Sequence, residues 1–371
     1  MAIASHFWHG SMNNMENMIT YLKEQGWKSF MISFICVFVM VLLQHLGVKP
    51  PHFFSAEALV SPLNSNQKIL DNIIPKLEVK PLSFKLKNTT SLVSKAYAGG
   101  DYDQAAAYGV VDYDTGEILF EKNSQKMLPI ASLTKLMTAV VALDLANPND
   151  EFTVSPNAPR MIPTRLALTA GEKYTLEELL NAALLTSAND CTQVIAENID
   201  AKYGQKVFVD AMNAKAAVLG LKSSHFTNPQ GFDDGHPYST IQDYAILTEY
   251  ALKNYPTIAA IVVKDHEVLT GSQKHTEAYL NNWQGLIGVY PGAMGVKIGN
   301  TDDAGYTTAV VAERGGKKLI TIVLGTPGII QRDMWAAELL DAGFQKSAGL
   351  QPINVTESQL RAKYATWKYF Q

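Results

Sequence analysis

The chain has 371 residues, 47% of them hydrophobic and 18% charged, with 25 glycines, 16 prolines and no internal repeat, which excludes a largely disordered or fibrous protein. Thirty-one basic against 35 acidic side chains leave a net charge of −4, so no basic surplus favours nucleic acid as a partner. Two cysteines, Cys36 and Cys191, suffice neither for a disulfide framework nor for a zinc site of several thiolates.

Residues 1–28 precede a run of twenty residues without formal charge, SFMISFICVFVMVLLQHLGV, from Ser29 to Val48. As a helix rising about 1.5 Å per residue, it spans the roughly 30 Å hydrocarbon core of a bilayer and reads as a transmembrane signal anchor. The rival reading is a cleaved secretory signal, for which Ala56-Glu57-Ala58 offers a small-x-small site, but the run is long for that and starts late in the chain. Lys23 and Lys28 before the run, against Lys49 after it, place residues 1–28 in the cytoplasm and the remainder outside. Residues 49–95 contain Pro50, Pro51, Pro62, Pro75 and Pro81 among Asn, Ser and Lys, and read as a linker. Its short apolar clusters, Ile69-Leu70 and Ile73-Ile74, are candidates to dock on the domain that follows.

From Ala107, AYGVVDYD, Thr115-Gly116 and EILFEKN read as two strands joined by a tight turn. Ser132-Leu133-Thr134-Lys135 then opens an apolar run with helical spacing that ends at Asn147-Pro148. Residues three apart share a helix face, so the Lys135 amine stands beside the Ser132 hydroxyl, and a serine needs such a base to become a nucleophile. Alone, a four-residue pattern of this kind reads first as an N-cap serine beside a solvated lysine. Fifty-five residues on, LEELLNAALLTSANDCTQVIAENI reads as two apolar helices interrupted at Ser187-Ala188-Asn189. Lys297 follows 110 residues later in MGVKIGNT, ahead of a strand pair formed by GYTTAVV and KKLITIVLG. A lysine and a glycine on a strand edge suit a carboxylate and the close approach of a peptide backbone.

Taken together, S-x-x-K at 132–135, S-x-N at 187–189 and K-x-G at 297–299 form a signature of penicillin-binding proteins and related β-lactamases. The chain resembles the low-molecular-mass penicillin-binding D-alanyl-D-alanine carboxypeptidases. The likeness runs over residues 96–345 and includes PIASLTKLMTA, LTAGEKYTLEELL, LLTSAND, MNAKAAVLGLKSSHFTNPQGF, YSTIQDYA, YPGAMGVKIGNTDDAG and LLDAGF. It implies an α/β (α+β) fold of the serine β-lactamase and DD-peptidase type: an antiparallel sheet, made by the 107–121 hairpin and strands after 260, flanked by helices. A mostly helical lobe is inserted from about 140 to 255, and residues 346–371 are left as a C-terminal tail.

The implied activity removes the terminal D-alanine from peptidoglycan stem peptides ending in D-Ala-D-Ala, through an acyl-enzyme, without metal or cofactor, and is blocked by β-lactam antibiotics. The implied location is the bacterial cell membrane, with the catalytic domain on the extracytoplasmic side. By the same resemblance Ser132 is the nucleophile, Lys135 its base, Ser187 a proton relay and Asn189 a holder of substrate and of Lys135. Lys297, Gly299, Asn300 and Thr301 line the substrate strand, the N–H groups of Ser132 and Asn300 form the oxyanion hole, and Arg332 pairs with the substrate's terminal carboxylate. Ile298 departs from the family, which has threonine or serine there; isoleucine offers that carboxylate no hydrogen bond, a loss of roughly 1.5–3 kcal/mol. Two alternatives stand beside the carboxypeptidase: an endopeptidase on peptide crosslinks, since both activities break a bond on the carbonyl side of D-alanine, and, because of Ile298, a catalytically weak penicillin- or peptidoglycan-binding relative. No H-E-x-x-H or G-x-S-x-G motif points to a metallopeptidase or to the other common serine-hydrolase arrangement. Cys191 reads as core, His236 as structural and Glu177 as the exposed face of a helix.

Overall fold

The computed structural model describes residues 73–77, 84–88 and 100–367, which belong to one compact unit, Asn66–Gln371. The predicted span Ser29–Val48 and the Ala56-Glu57-Ala58 site lie outside the described residues, among which no helix is long and apolar enough to cross a membrane.

In chain order the elements are β1 (Lys87–Asn88), β2 (Ala107–Asp112), β3 (Glu117–Lys122), α1 (Lys135–Leu145), β4 (Glu151–Thr153), β5 (Lys173–Thr175), α2 (Leu176–Leu185), α3 (Asn189–Tyr203), α4 (Val207–Val218), α5 (Ile241–Asn254), α6 (Pro256–Val262), β6 (His266–Leu269), β7 (Ala278–Asn281), β8 (Ala293–Thr301), β9 (Gly305–Arg314), β10 (Lys317–Thr326), α7 (Ile329–Ala348) and α8 (Glu357–Tyr364). The main sheet has the order β1-β3-β2-β10-β9-β8, antiparallel except where β1 joins β3 in parallel. Side chains of a strand alternate between faces. Val310, Leu319 and Val323 enter a core shared with α7 and α8, while Val311, Ile320 and Ile322 enter the larger core shared with the helical lobe. Burial on both faces explains why β9 and β10 read as nearly continuous apolar runs. Helix α1 is likewise apolar on almost every side and is buried at the centre of the lobe, as a helix without a polar face must be.

Two segments outside the predicted catalytic boundaries are part of this body. Ile73, Leu77 and Phe84, from the predicted linker, are buried in the larger core, and Lys87 N–H donates to Gly116 O at 2.8 Å where β1 extends the sheet. Isolated apolar residues among prolines have no period, so the sequence offered docking at the 69–70 and 73–74 clusters, the first of which lies outside the described residues, and gave no signal at Leu77 or Phe84. At the other end α7 runs three residues past 345 and stops at Gly349, whose φ of 65° supplies the left-handed C-cap. The tail is then pinned down: the Asp341 carboxylate accepts Ile353 N–H at 2.8 Å and Asn354 N–H at 2.9 Å, and Leu360, Tyr364 and Trp367 are buried against α7.

Phe84 is 4% exposed and Ile74 42%. Phe84→Ala is expected to destabilise the 66–371 unit by about 3–5 kcal/mol in urea unfolding, through lost burial and the cavity left behind. Ile74→Ala is expected to change it by less than about 0.5 kcal/mol.

Candidate active site

Ser132 lies in a 3-10 turn, Ala131–Thr134, that runs directly into α1. The turn is entered through Ala131 at φ 48°, a left-handed conformation that costs a non-glycine residue about 1–3 kcal/mol and that its surroundings must enforce. Those surroundings are visible. Tyr244 on α5 donates its hydroxyl to Leu133 O at 3.0 Å, and the Thr307 hydroxyl on β9 lies 3.3 Å from Ile130 O and 3.2 Å from Gly299 O. The turn is thus tied both to the lobe and to the sheet.

Lys135 Nζ is buried and has three oxygens at 2.8 Å: Ser132 Oγ, Asn189 Oδ1 and the carbonyl of Gln230. Burial pushes its pKa down to about 7, against weaker opposing effects of Cys191 and Asp190. A charged amine donates to all three oxygens. A neutral one keeps two N–H donors for Asn189 and Gln230, and its lone pair is then left facing the Ser132 hydroxyl, which must be the donor. The geometry therefore prepares the amine to take a proton from Ser132.

Ser187 lies in the break between α2 and α3, again at a left-handed φ of 62°. It lines the cleft together with Asn189 and Ser132. Asn189 divides its amide: Oδ1 accepts from Lys135, while Nδ2 donates to Ile162 O at 3.1 Å. Ile162 and Thr164 belong to a loop that forms one wall of the cleft. The loop is clamped to the start of α3, because Asn189 N–H donates to Thr164 O at 2.7 Å and the buried Asp190 carboxylate accepts Leu166 and Ala167 N–H, both at 2.9 Å.

The opposite wall is β8. Ile298, Gly299, Asn300 and Thr301 line a cleft of about 480 Å³, with Trp283 beside them. Gly299 is required by space: a Cβ there would stand 2.7 Å from Ser132 N, closing the approach of strand to nucleophile turn. Ile298 is 7% exposed and stands in register with Thr308 of β9. Lys297 is buried behind this wall, and burial, then the Lys135 charge, then Arg332 lower its pKa well below the usual lysine value. Arg332 is placed differently from the expectation that it meets the substrate directly. It is not among the residues lining the cleft but is buried in α7, forked onto Asp333 through Nε at 2.7 Å and Nη2 at 2.9 Å. An arginine with an acidic neighbour in its own helix turns to that neighbour once both are taken from water. The sequence-predicted residues Ser132, Lys135, Ser187, Asn189 and Ile298 to Thr301 are thus gathered at one cleft, with Lys297 and Arg332 behind it. Sequence reasoning missed Gln230, Tyr244, Thr307 and Asp190, of which only the Asn228-Pro229-Gln230-Gly231 turn carried a local signal. Cys191 is buried, and burial raises its thiol well above the ordinary value, in keeping with a core residue.

A serine in the turn that opens a helix, hydrogen-bonded to a buried lysine amine, is the arrangement of the acyl-transfer serine enzymes of the penicillin-recognising fold. A family model described as D-alanyl-D-alanine carboxypeptidase, Peptidase S11, matches residues 95–328. D-alanyl-D-alanine carboxypeptidase DacF of Bacillus subtilis is 30% identical over 275 residues, covering 72% of this chain and 70% of the relative. Among solved structures, the D-alanyl-D-alanine carboxypeptidase DacD of Francisella tularensis superposes with a TM-score of 0.60 at 26% identity, over 72% of this chain and 73% of that one. The Streptomyces K15 DD-transpeptidase does so with a TM-score of 0.61 at 29% identity, over 65% of this chain and 97% of that one. The chain belongs to the D-alanyl-D-alanine carboxypeptidase family and is a serine-type carboxypeptidase.

Because only the neutral amine can accept a proton, acylation by a β-lactam is expected to rise about tenfold per pH unit up to pH about 7 and to level off above it. Rates of labelling by a fluorescent penicillin check this, and intact-protein mass spectrometry is expected to find one adduct, absent from Ser132→Ala.

Proposed function

We propose that Ser132, Lys135, Ser187 and Asn189 carry out the hydrolysis, and that residues 29–48 anchor the enzyme in the membrane. Ser132 Oγ attacks the carbonyl of the penultimate D-alanine while its proton passes to Lys135 Nζ. The oxyanion is held by the backbone N–H groups of Ser132 and Asn300. Collapse breaks the C–N bond, the proton returns to the departing amine by way of Ser187, and free D-alanine leaves. Water, deprotonated by Lys135, then hydrolyses the ester and releases the shortened peptide. Lys297 and Arg332 supply positive potential to the substrate's terminal carboxylate from behind β8. The observation that carries this reading is the 2.8 Å contact between Ser132 Oγ and an amine whose pKa burial has brought to about 7.

A second reading, endopeptidase action on crosslinks, draws support from Ile298, whose apolar side chain lines the cleft where a hydrogen bond to a free carboxylate is expected. A single assay separates the two. A peptide ending in D-Ala-D-Ala is expected to yield one D-alanine per chain, with none from Ser132→Ala. Ile298→Thr is expected to raise kcat/KM for that peptide about tenfold, equivalent to 1.4 kcal/mol, and much less for its C-terminal amide. An equal gain on both, or none, would mean that position 298 does not read the carboxylate. Wild-type preference for a crosslinked dimer over the free pentapeptide would favour the endopeptidase.

The membrane reading is supported by the length of the charge-free run alone. The full-length chain is expected to stay in the membrane fraction through carbonate extraction. A mature N-terminus between Ser55 and Leu59 would instead reveal cleavage.

A further inference from the structure

The C-terminal helix reaches the back of the active site. Tyr364 of α8 donates its hydroxyl to Asp333 Oδ2, and Asp333 in turn receives Arg332 through Nε and Nη2. All three side chains are buried. The tyrosine ring packs on Trp367, centroid to centroid 4.9 Å, and its hydroxyl lies 3.4 Å from Ile329 O, so the donor is fixed from both sides. This trio abuts the cleft wall. A Cβ built on Gly285 would overlap Asp333 Oδ2 and stand 2.8 Å from Tyr364 Oη. Two residues earlier Trp283 lines the cleft, and between them Gln284 donates to Thr308 Oγ1 at 3.0 Å, on the residue in register with Ile298.

We propose that Tyr364 is a positioning residue for carboxylate recognition, acting through Asp333 to hold the Arg332 guanidinium in the orientation from which it attracts the substrate's terminal carboxylate. The inference rests on the proposed role of Arg332 in meeting that carboxylate. A buried carboxylate seeks a full set of donors. With the tyrosine hydroxyl in place, one guanidinium edge completes the set, and the remaining amino group of Arg332 stays free of Asp333. Without the hydroxyl, Oδ2 is left with Arg332 Nη2 as its donor, and the guanidinium is the group beside it able to draw further onto the carboxylate. Positive potential then moves away from the cleft. The tail beyond residue 345 becomes, on this account, part of the active site.

Tyr364→Phe removes the hydroxyl and keeps the ring on Trp367. In the full-length enzyme, KM for a D-Ala-D-Ala peptide is expected to rise five- to tenfold with kcat within twofold. A matched acyl donor lacking the terminal carboxylate is expected to change by less than twofold. Equal losses on both substrates, or no loss on either, would overturn the proposal. Leu360→Ala, another buried position of α8, controls for loosened packing: it is expected to lower the melting temperature without changing the preference between substrates, and an equal change of preference there would also overturn the proposal. The double variant Arg332→Gln/Asp333→Asn, a neutral pair of similar shape, separates the inference from its foundation. If it selectively loses the carboxylate substrate while Tyr364→Phe does not, Arg332 reads the carboxylate and Tyr364 does not position it. If the double variant treats both substrates alike, the role of Arg332 fails, and the positioning role fails with it.

Discussion

The Lys135 amine is buried on a helix with no polar face, and most of the site's architecture follows from having to accommodate it there. A buried ammonium is costly unless fully hydrogen-bonded. Its three acceptors come from the adjoining turn before α1 and from two distant parts of the chain, the start of α3 and the loop at Gln230. Each must arrive within hydrogen-bond distance of one atom, so the packing of α1 against α3 and the 228–231 turn is set by this nitrogen as much as by apolar burial. The same desolvation that makes the position costly lowers the pKa to the range in which a base works at neutral pH. Stability and reactivity are here two consequences of one burial.

The cleft is held open by backbone conformations that need enforcement. Ala131 and Ser187, both left-handed without being glycine, stand at the two turns that present the hydroxyls. Their cost is offset by hydrogen bonds from outside the turns: Tyr244 and Thr307 on one side, Thr164 on the other. Asp190 extends this by gathering the N–H groups of the 166–168 loop, so the wall carrying Ile162 is fastened to the same helix start that supplies Asn189. The cations are distributed with equal consequence. Lys297 and Arg332 lie behind β8, and only Arg332 has a carboxylate partner of its own in Asp333. Ile298, on the same strand as Lys297, lines the cleft with a side chain that offers no hydrogen bond.

How much of this was legible in the sequence depended on whether the signal was local. The hairpin at 107–121, the α2–α3 break at Ser187 and the helical run after Ser132 follow from period, turn residues and capping chemistry that a short window contains. The family resemblance carried by the three motifs singled out Ser132, Lys135, Ser187, Asn189 and Lys297, because those side chains stand in short local patterns. The last of these motifs exposes Ile298 as the odd residue of its strand.

Tertiary structure alone decided the rest. The Gln230 carbonyl, Tyr244, Thr307 and Asp190 act through backbone groups or through partners far away in sequence, and no composition or period encodes such a pairing. The fork of Arg332 onto Asp333 was not legible either, because a sequence offset cannot show that a neighbouring carboxylate takes the guanidinium once both are buried. The docked residues of the linker and the helix in the tail escaped for a related reason. Phe84, Tyr364 and Trp367 are scattered apolar side chains whose burial depends on grooves that exist only after the sheet and α7 have come together. What a side chain must be was determined by chemistry within a few residues; what it touches was determined by the folded surface it meets.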